Sequence, residues 1–131
     1  MRVLLDTVAW IWSVSAVDRL NLGARKLLSD PSHELFFSSA SAWEIALKAA
    51  LGKLQFPESP RTLVPREVAR LGLRPLPVTH QQALATYDLP RHHRDPFDRL
   101  LIAQAMEEKM TILTADRVFE KYAVDVVWCG K

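Results

Sequence analysis

Cysteine is all but missing from this chain of 131 residues: Cys129 stands alone, so no internal disulfide can form. With that one thiol and 4 histidines, no Cys/His set has the spacing of a structural zinc site. A disulfide or zinc framework is therefore excluded, and a reducing cytoplasm is the simplest setting. Charge of one sign is equally scarce. Lys and Arg number 17 against 15 Asp and Glu, a net charge of +2, too little for the broad basic field that marks many DNA-binding domains. No apolar run approaches the roughly 20 residues of a membrane span. The opening Met1-Arg2-Val3-Leu4-Leu5-Asp6 meets an acid too early for the core of a secretory signal, so no membrane partner is expected. Also missing are the G-x-S-x-G nucleophile turn, the phosphate-cradling P-loop and the G-x-G-x-x-G dinucleotide fingerprint.

What is present reads as one α/β domain spanning residues 1–131. A hydrophobic fraction of 49% and a charged fraction of 24% supply an ordinary core and surface. Val3-Leu5, Glu34-Ser38, Thr111-Thr114 and Val124-Trp128 read as short buried strands, and proline-rich Leu73-Val78 as an edge strand. Between them fall helical stretches at Thr7-Trp12, Asn21-Ser29, Ser41 to about Leu51, Arg61-Leu71 (disturbed near Pro65), Thr79-Tyr87, Pro96-Lys109 and Arg117-Tyr122. Gly52 and Gly72 close two of these helices, and Asp95-Pro96 opens the clearest one with a favoured cap and a favoured first residue. Strands alternating with helices predict a mostly parallel central sheet covered on both faces.

Ligands in such sheets bind beyond the carboxyl ends of the strands, and acids gather there. Asp6 closes Val3-Leu5, Glu44 lies one turn into the helix after the second strand, Asp98 is in the first turn of the Pro96 helix, and Asp116 follows Thr111-Thr114. Clustered carboxylates repel and raise one another's pKa, so convergence implies a divalent cation. Capping is the rival explanation at each position. It accounts for Asp95 outright, making that residue a neighbour of the site, and Ser41-Ala42-Trp43-Glu44 fits the S-x-x-E capping box. Asp6 and Asp116 each fit a cap as well as a ligand. Asp98 resists, because it shares a helix face with Leu101, Ile102 and Ala105, and an inward carboxylate needs a partner. Thr114 can turn its hydroxyl to the same edge. Arg91-His92-His93-Arg94 stands just before the acids, and Lys48 and Lys53 follow Glu44, so Lys48, Arg91 and Arg94 are candidate contacts for a phosphate backbone. Trp10 and Trp12 are too close on one helix to face the same way, so at least one is expected at the surface, toward a partner.

Four segments carry a resemblance in order. They are Leu4-Leu5-Asp6-Thr7, Ser38-Ser39-Ala40-Ser41-Ala42-Trp43-Glu44-Ile45-Ala46, His93-Arg94-Asp95-Pro96-Phe97-Asp98-Arg99-Leu100-Leu101-Ile102-Ala103-Gln104-Ala105 and Leu113-Thr114-Ala115-Asp116. Together they resemble a PIN domain, of the VapC type found as the toxin of bacterial toxin–antitoxin pairs, over essentially the whole chain. The resemblance implies a three-layer α/β fold with a central parallel sheet. It implies that Asp6, Glu44, Asp98 and Asp116 are the catalytic, metal-holding acids, with Thr7 and Thr114 as the hydroxyl residues beside them. Asp95, so near Asp98, leaves the third acid open between the two. The further implications are Mg²⁺ or Mn²⁺ as cofactor, endoribonuclease activity, a homodimer, and an antitoxin that wraps the toxin and blocks its site.

On this reading a metal-bound water hydrolyses an RNA phosphodiester. Adjacent His92 and His93 cannot easily flank a phosphate as an acid–base pair. A haloacid-dehalogenase-type phosphatase wants a second Asp two positions after Asp6, where this chain has Val8. A non-catalytic binding module is the stronger rival, because caps explain several of the acids one at a time.

Overall fold

In the computed structural model, which describes Met1–Lys131, the chain folds around a five-stranded sheet. Its elements are β1 (Arg2–Leu5), α1 (Thr7–Ser15), α2 (Leu22–Ser29), β2 (Glu34–Ser38), α3 (Ser39–Ala50), α4 (Pro60–Arg70), β3 (Arg74–Leu76), α5 (His80–Ala85), α6 (Pro96–Glu108), β4 (Thr111–Thr114) and β5 (Val126–Trp128). All strand pairings are parallel, in the order β3-β2-β1-β4-β5. The chain thus builds outward from β1 on one side, then crosses back to lay β4 and β5 on the other. That reversal puts the diverging carboxyl ends of β1 and β4 at the switch point where α/β folds open a crevice.

The middles of β1, β2 and β4 are apolar because both faces of the sheet are covered, and their side chains sort by the two-residue pleat. Val3, Leu5, Leu35 and Phe37 join Trp10, Leu27 and Ile45 in a core on one face. Leu4, Phe36 and Ile112 join Leu101, Ile102 and Phe119 on the other. Each such fully buried aliphatic or aromatic side chain contributes roughly 1.5–3 kcal/mol.

Several expectations need correction. Neither Trp10 nor Trp12 is fully exposed: Trp10 is completely buried against Phe37, with ring centroids 5.2 Å apart, and Trp12 is half-buried with Arg19 over its ring. The tryptophan at the surface is Trp43, 60% exposed. The α4 helix runs unbroken through Pro65, because Pro65 and Arg61 lie on the exposed side, where the freed Arg61 carbonyl meets water. The segment Arg117–Lys121 winds as a 3-10 turn, and the helix begun at His80 tightens to 3-10 over Thr86–Asp88. As expected, Pro75 sits on an edge strand, and Gly52 and Gly72 take φ of 74° and 67° beyond their helices.

One buried polar network fixes α6 to the strand ends. Gln104, fully buried, accepts from the Ser38 hydroxyl at 2.5 Å and donates to the Pro77 carbonyl at 3.2 Å and Gln82 Oε1 at 3.1 Å. The Ser38 hydroxyl in turn accepts from Ala40 N and starts α3. Gln104→Leu keeps the volume but strands these partners. It should lower unfolding stability by about 2–4 kcal/mol, read from urea denaturation; a loss below 1 kcal/mol would mean that the network contributes little.

Candidate metal centre

Asp6 follows β1 directly, and the register Leu5↔Leu113 seats it beside Thr114. Its backbone N–H donates to Leu113 O at 3.0 Å. One carboxylate oxygen caps α1 by accepting from Ala9 N at 2.6 Å, and the other accepts from the Thr114 hydroxyl. Asp6 therefore does cap a helix, yet it also lines the crevice. Burial pushes its pKa up to about 6 against the pull of the Thr114 and Ala9 hydrogen bonds, with Asp116 and Glu44 raising it further.

Glu44 is not the capping-box residue. Ser38 is the N-cap, so α3 begins earlier than the Ser41 pattern suggests and Glu44 lies more than a turn inside it. Ser41 is instead buried in the first turn and accepts a hydrogen bond from the Thr7 hydroxyl at 2.9 Å, which ties α1 to α3. The Glu44 side chain is 6% exposed; Oε2 pairs with Lys48 Nζ at 2.5 Å, while Oε1 is buried with no partner. Hydrogen bonding to Glu44 holds the Lys48 ammonium above its usual pKa. A buried carboxylate oxygen without a donor is costly.

Asp98 sits in the first turn of α6, one turn ahead of buried Leu101 and Ile102 and two turns ahead of buried Ala105. Burial first, and then the charges of Asp95, Asp6, Glu44 and Asp116, push its pKa up to about 8. Asp95 is the N-cap, accepting from Phe97 N at 2.8 Å and Asp98 N at 3.1 Å. Asp116 accepts from Val118 N at 2.9 Å through Oδ1 and stays 40% exposed.

These side chains meet in a cleft of about 250 Å³ lined by Asp6, Thr7, Glu44, Asp95, Asp98 and Asp116, with Lys48 at its wall. Thr114 is buried behind Asp6. Arg91 and Arg94 are exposed and do not line the cleft. Sequence reasoning set His93 only within the basic run Arg91-His92-His93-Arg94 beside the acids, whereas its Nε2 lies 2.9 Å from Asp98 Oδ2 and 3.0 Å from Asp116 Oδ2. Its place two residues before Asp95 was the available signal, but no spacing rule joins it to Asp116. The donors lining the cleft are hard carboxylate oxygens, and Glu44 also has a buried oxygen that lacks a donor; the set fits Mg²⁺ or Mn²⁺.

Known proteins share this arrangement of chain. Ribonuclease VapC16 of Mycobacterium tuberculosis is 42% identical over 65 residues, a stretch taking in 50% of this chain and 45% of that protein. In structure the chain resembles DNA-bound VapBC from Salmonella typhimurium, with a TM-score of 0.74 at 21% identity, covering 98% of each chain. It also resembles VapBC2 from Rickettsia felis bound to a promoter DNA fragment, with a TM-score of 0.73 at 15% identity, covering 98% of this chain and 99% of that one. Those likenesses show the fold, and the PIN domain family model matches residues 3–125. A parallel sheet whose switch point gathers Asp6, Glu44, Asp98 and Asp116, and a family match over nearly the whole chain, lead to one assignment: the chain belongs to the PIN-domain family.

Proposed function

We propose that this chain is a divalent-metal-dependent endoribonuclease, the toxin half of a bacterial toxin–antitoxin pair acting in the cytoplasm. The observation that carries the metal site is Glu44 Oε1, buried without a hydrogen-bond donor in the cleft that Asp6, Asp98 and Asp116 share. Asp6, Glu44, Asp98 and Asp116 would hold Mg²⁺ or Mn²⁺, directly or through water. When bound, such an ion supplies a Lewis acid that lowers the pKa of water and offsets charge on a phosphate.

The protein's own groups prepare the site. Thr114 and the amide of Ala9 fix both oxygens of Asp6. The Thr7–Ser41 hydrogen bond holds α1 against α3, and Asp95 caps the helix that carries Asp98. Lys48, at the cleft wall, would meet a phosphate oxygen, and Arg91 and Arg94, exposed outside the cleft, would contact more of an RNA backbone. The toxin reading draws on the kinship with Ribonuclease VapC16 and on the fold shared with VapBC proteins. An antitoxin covering the cleft and a second copy of the chain are the partners it implies, and exposed Trp43 beside Glu44 is a candidate contact for either.

The test is cleavage of an RNA pool by the purified chain in Mn²⁺ and in EDTA. Activity should vanish in EDTA, and Asp6→Asn should lower it at least about 100-fold, a loss comparable to removing one transition-state-stabilising group. Calorimetric titration with Mn²⁺ separates the rival: a non-catalytic module neither binds the ion nor loses function when the acids are replaced. Undiminished cleavage in EDTA would sink the metal mechanism.

A further inference from the structure

His93 brings a third kind of donor to the cluster. Its Nε2 and the oxygens of Asp98 and Asp116 lie within 4.8 Å of one another, a spread that could hold a cation among them. The hydrogen bonding of the ring argues for a different role. Asp95 N donates to His93 Nδ1 at 3.3 Å. A backbone amide has only a proton to offer, so Nδ1 carries the lone pair and Nε2 carries the ring proton. A metal-ligating imidazole shows the opposite pattern, with its distal nitrogen donating to a carbonyl or carboxylate. Here Nε2 is hydrogen-bonded to Asp116 Oδ2 at 3.0 Å, and Asp98 Oδ2 lies 2.9 Å from the same nitrogen.

The position of the ring agrees. Asp6, Glu44, Asp98 and Asp116 line the cleft, and His93 does not. The ring packs edge-on against Phe119, with centroids 5.7 Å apart. The loop that delivers it is fastened in place. The Arg99 guanidinium donates to the carbonyls of Thr86 at 2.7 Å, Pro90 at 2.9 Å, Leu89 at 3.3 Å and His93 at 3.4 Å. The Tyr122 hydroxyl donates to Pro90 O at 2.8 Å and accepts from His93 N at 2.8 Å. So many bonds on one short loop hold the imidazole at a set place and angle.

We propose that His93 is a positioning residue, an Nε2–H donor that holds the Asp116 carboxylate beside Asp98 and is not itself a ligand. The ring stands beside two acids that would otherwise repel, with Asp116 Oδ2 bonded to its Nε2 and Asp98 Oδ2 in contact with the same nitrogen. Arg99 and Tyr122 act through His93 by setting the loop. The inference rests on the metal-site reading above and adds a residue to it.

The experiment measures Mn²⁺ binding to the full chain by calorimetry and the Mn²⁺ environment by pulsed EPR. His93→Phe keeps the packing on Phe119 and removes the donor, whereas His93→Gln keeps a donor of similar reach. Loss of such a supporting partner should weaken Mn²⁺ about 10–100-fold in the Phe variant, and the Gln variant should recover most of the loss. The wild-type EPR signal should lack the coupling of a directly bonded ¹⁴N. A directly bonded nitrogen in the wild type overturns the proposal without recourse to any variant, and so does a Phe variant that binds Mn²⁺ as tightly as the wild type. A wild type that binds no Mn²⁺ removes the site reading itself, and this proposal with it.

Discussion

Asp98→Asn should raise the melting temperature of the EDTA-treated protein at neutral pH and, in the same variant, remove the stabilisation that Mn²⁺ confers. The Asp98 pKa stands at about 8, where the ordinary value is 3.8, because burial and the charges of Asp95, Asp6, Glu44 and Asp116 all oppose ionisation. At neutral pH the folded chain must therefore hold a proton that the unfolded chain releases. At pH 7 about three units of that gap apply, each costing about 1.4 kcal/mol, so the strain is at most on the order of 4 kcal/mol. An asparagine amide has nearly the same shape and carries no charge. The expected gain is roughly 5–10 °C, at about 3 °C per kcal/mol for a domain of this size. Glu67→Gln is the contrasting control. That carboxyl is held below its usual pKa by its hydrogen bond from Arg70 and the nearby charge of Arg66, so its replacement should lower the melting temperature. If Asp98→Asn melts below the wild type in EDTA, the acids are not the strained group described here, and stability is not being exchanged for a binding site.

The sequence made some of this legible and hid the rest for physical reasons. Asp6 and Asp116 could be placed because a short apolar strand has one register and one exit, and an acid at that exit lies on the sheet's edge. Asp98 could be placed because helix periodicity put it one turn ahead of Leu101 and Ile102, which are indeed fully buried. Glu44 was obscured by the serines around it. Ser38, Ser39 and Ser41 are all good caps, and only the tertiary fold selects Ser38, through its bond to Gln104. That choice turns Glu44 from a capping residue into a buried carboxylate in the cleft.

His93 was hidden differently. Its placement depends on Arg99 and Tyr122, and the Tyr122 ring comes from a segment after β4 that no local pattern links to the loop. The surface tryptophan was misjudged for a similar reason. Spacing alone separates Trp10 from Trp12, but only the packing of β2 shows that Phe37 receives Trp10 and that Arg19 covers Trp12. Periodicity fixes which face a residue occupies, and long-range packing fixes what it meets there.

The metal-free protein should lose stability as pH rises from mild acid to weak alkali, and Mn²⁺ should reverse that trend. Asp6 and Asp98 both have folded-state pKa values above their ordinary 3.8, at about 6 and about 8. Above the ordinary value the unfolded chain has released these protons while the folded chain keeps them. Stability then falls with pH, at up to about 1.4 kcal/mol per pH unit for each retained proton. The Asp6 contribution ends near 6 and that of Asp98 near 8, so the decline is steepest in the lower part of the window. Asp30, Glu58 and Glu67 have lowered pKa values and act in the opposite sense, but their effect is confined to more acid conditions. A bound cation favours the ionised carboxylates, so its affinity and the stability it adds should both increase with pH. Melting curves at about pH 5, 6, 7 and 8, in EDTA and in Mn²⁺, would show two lines diverging upward in pH. Asp98→Asn should flatten the EDTA line and abolish the divergence. An EDTA line that is level or rises across this window would mean that the acids are not crowded as the geometry of the cleft requires.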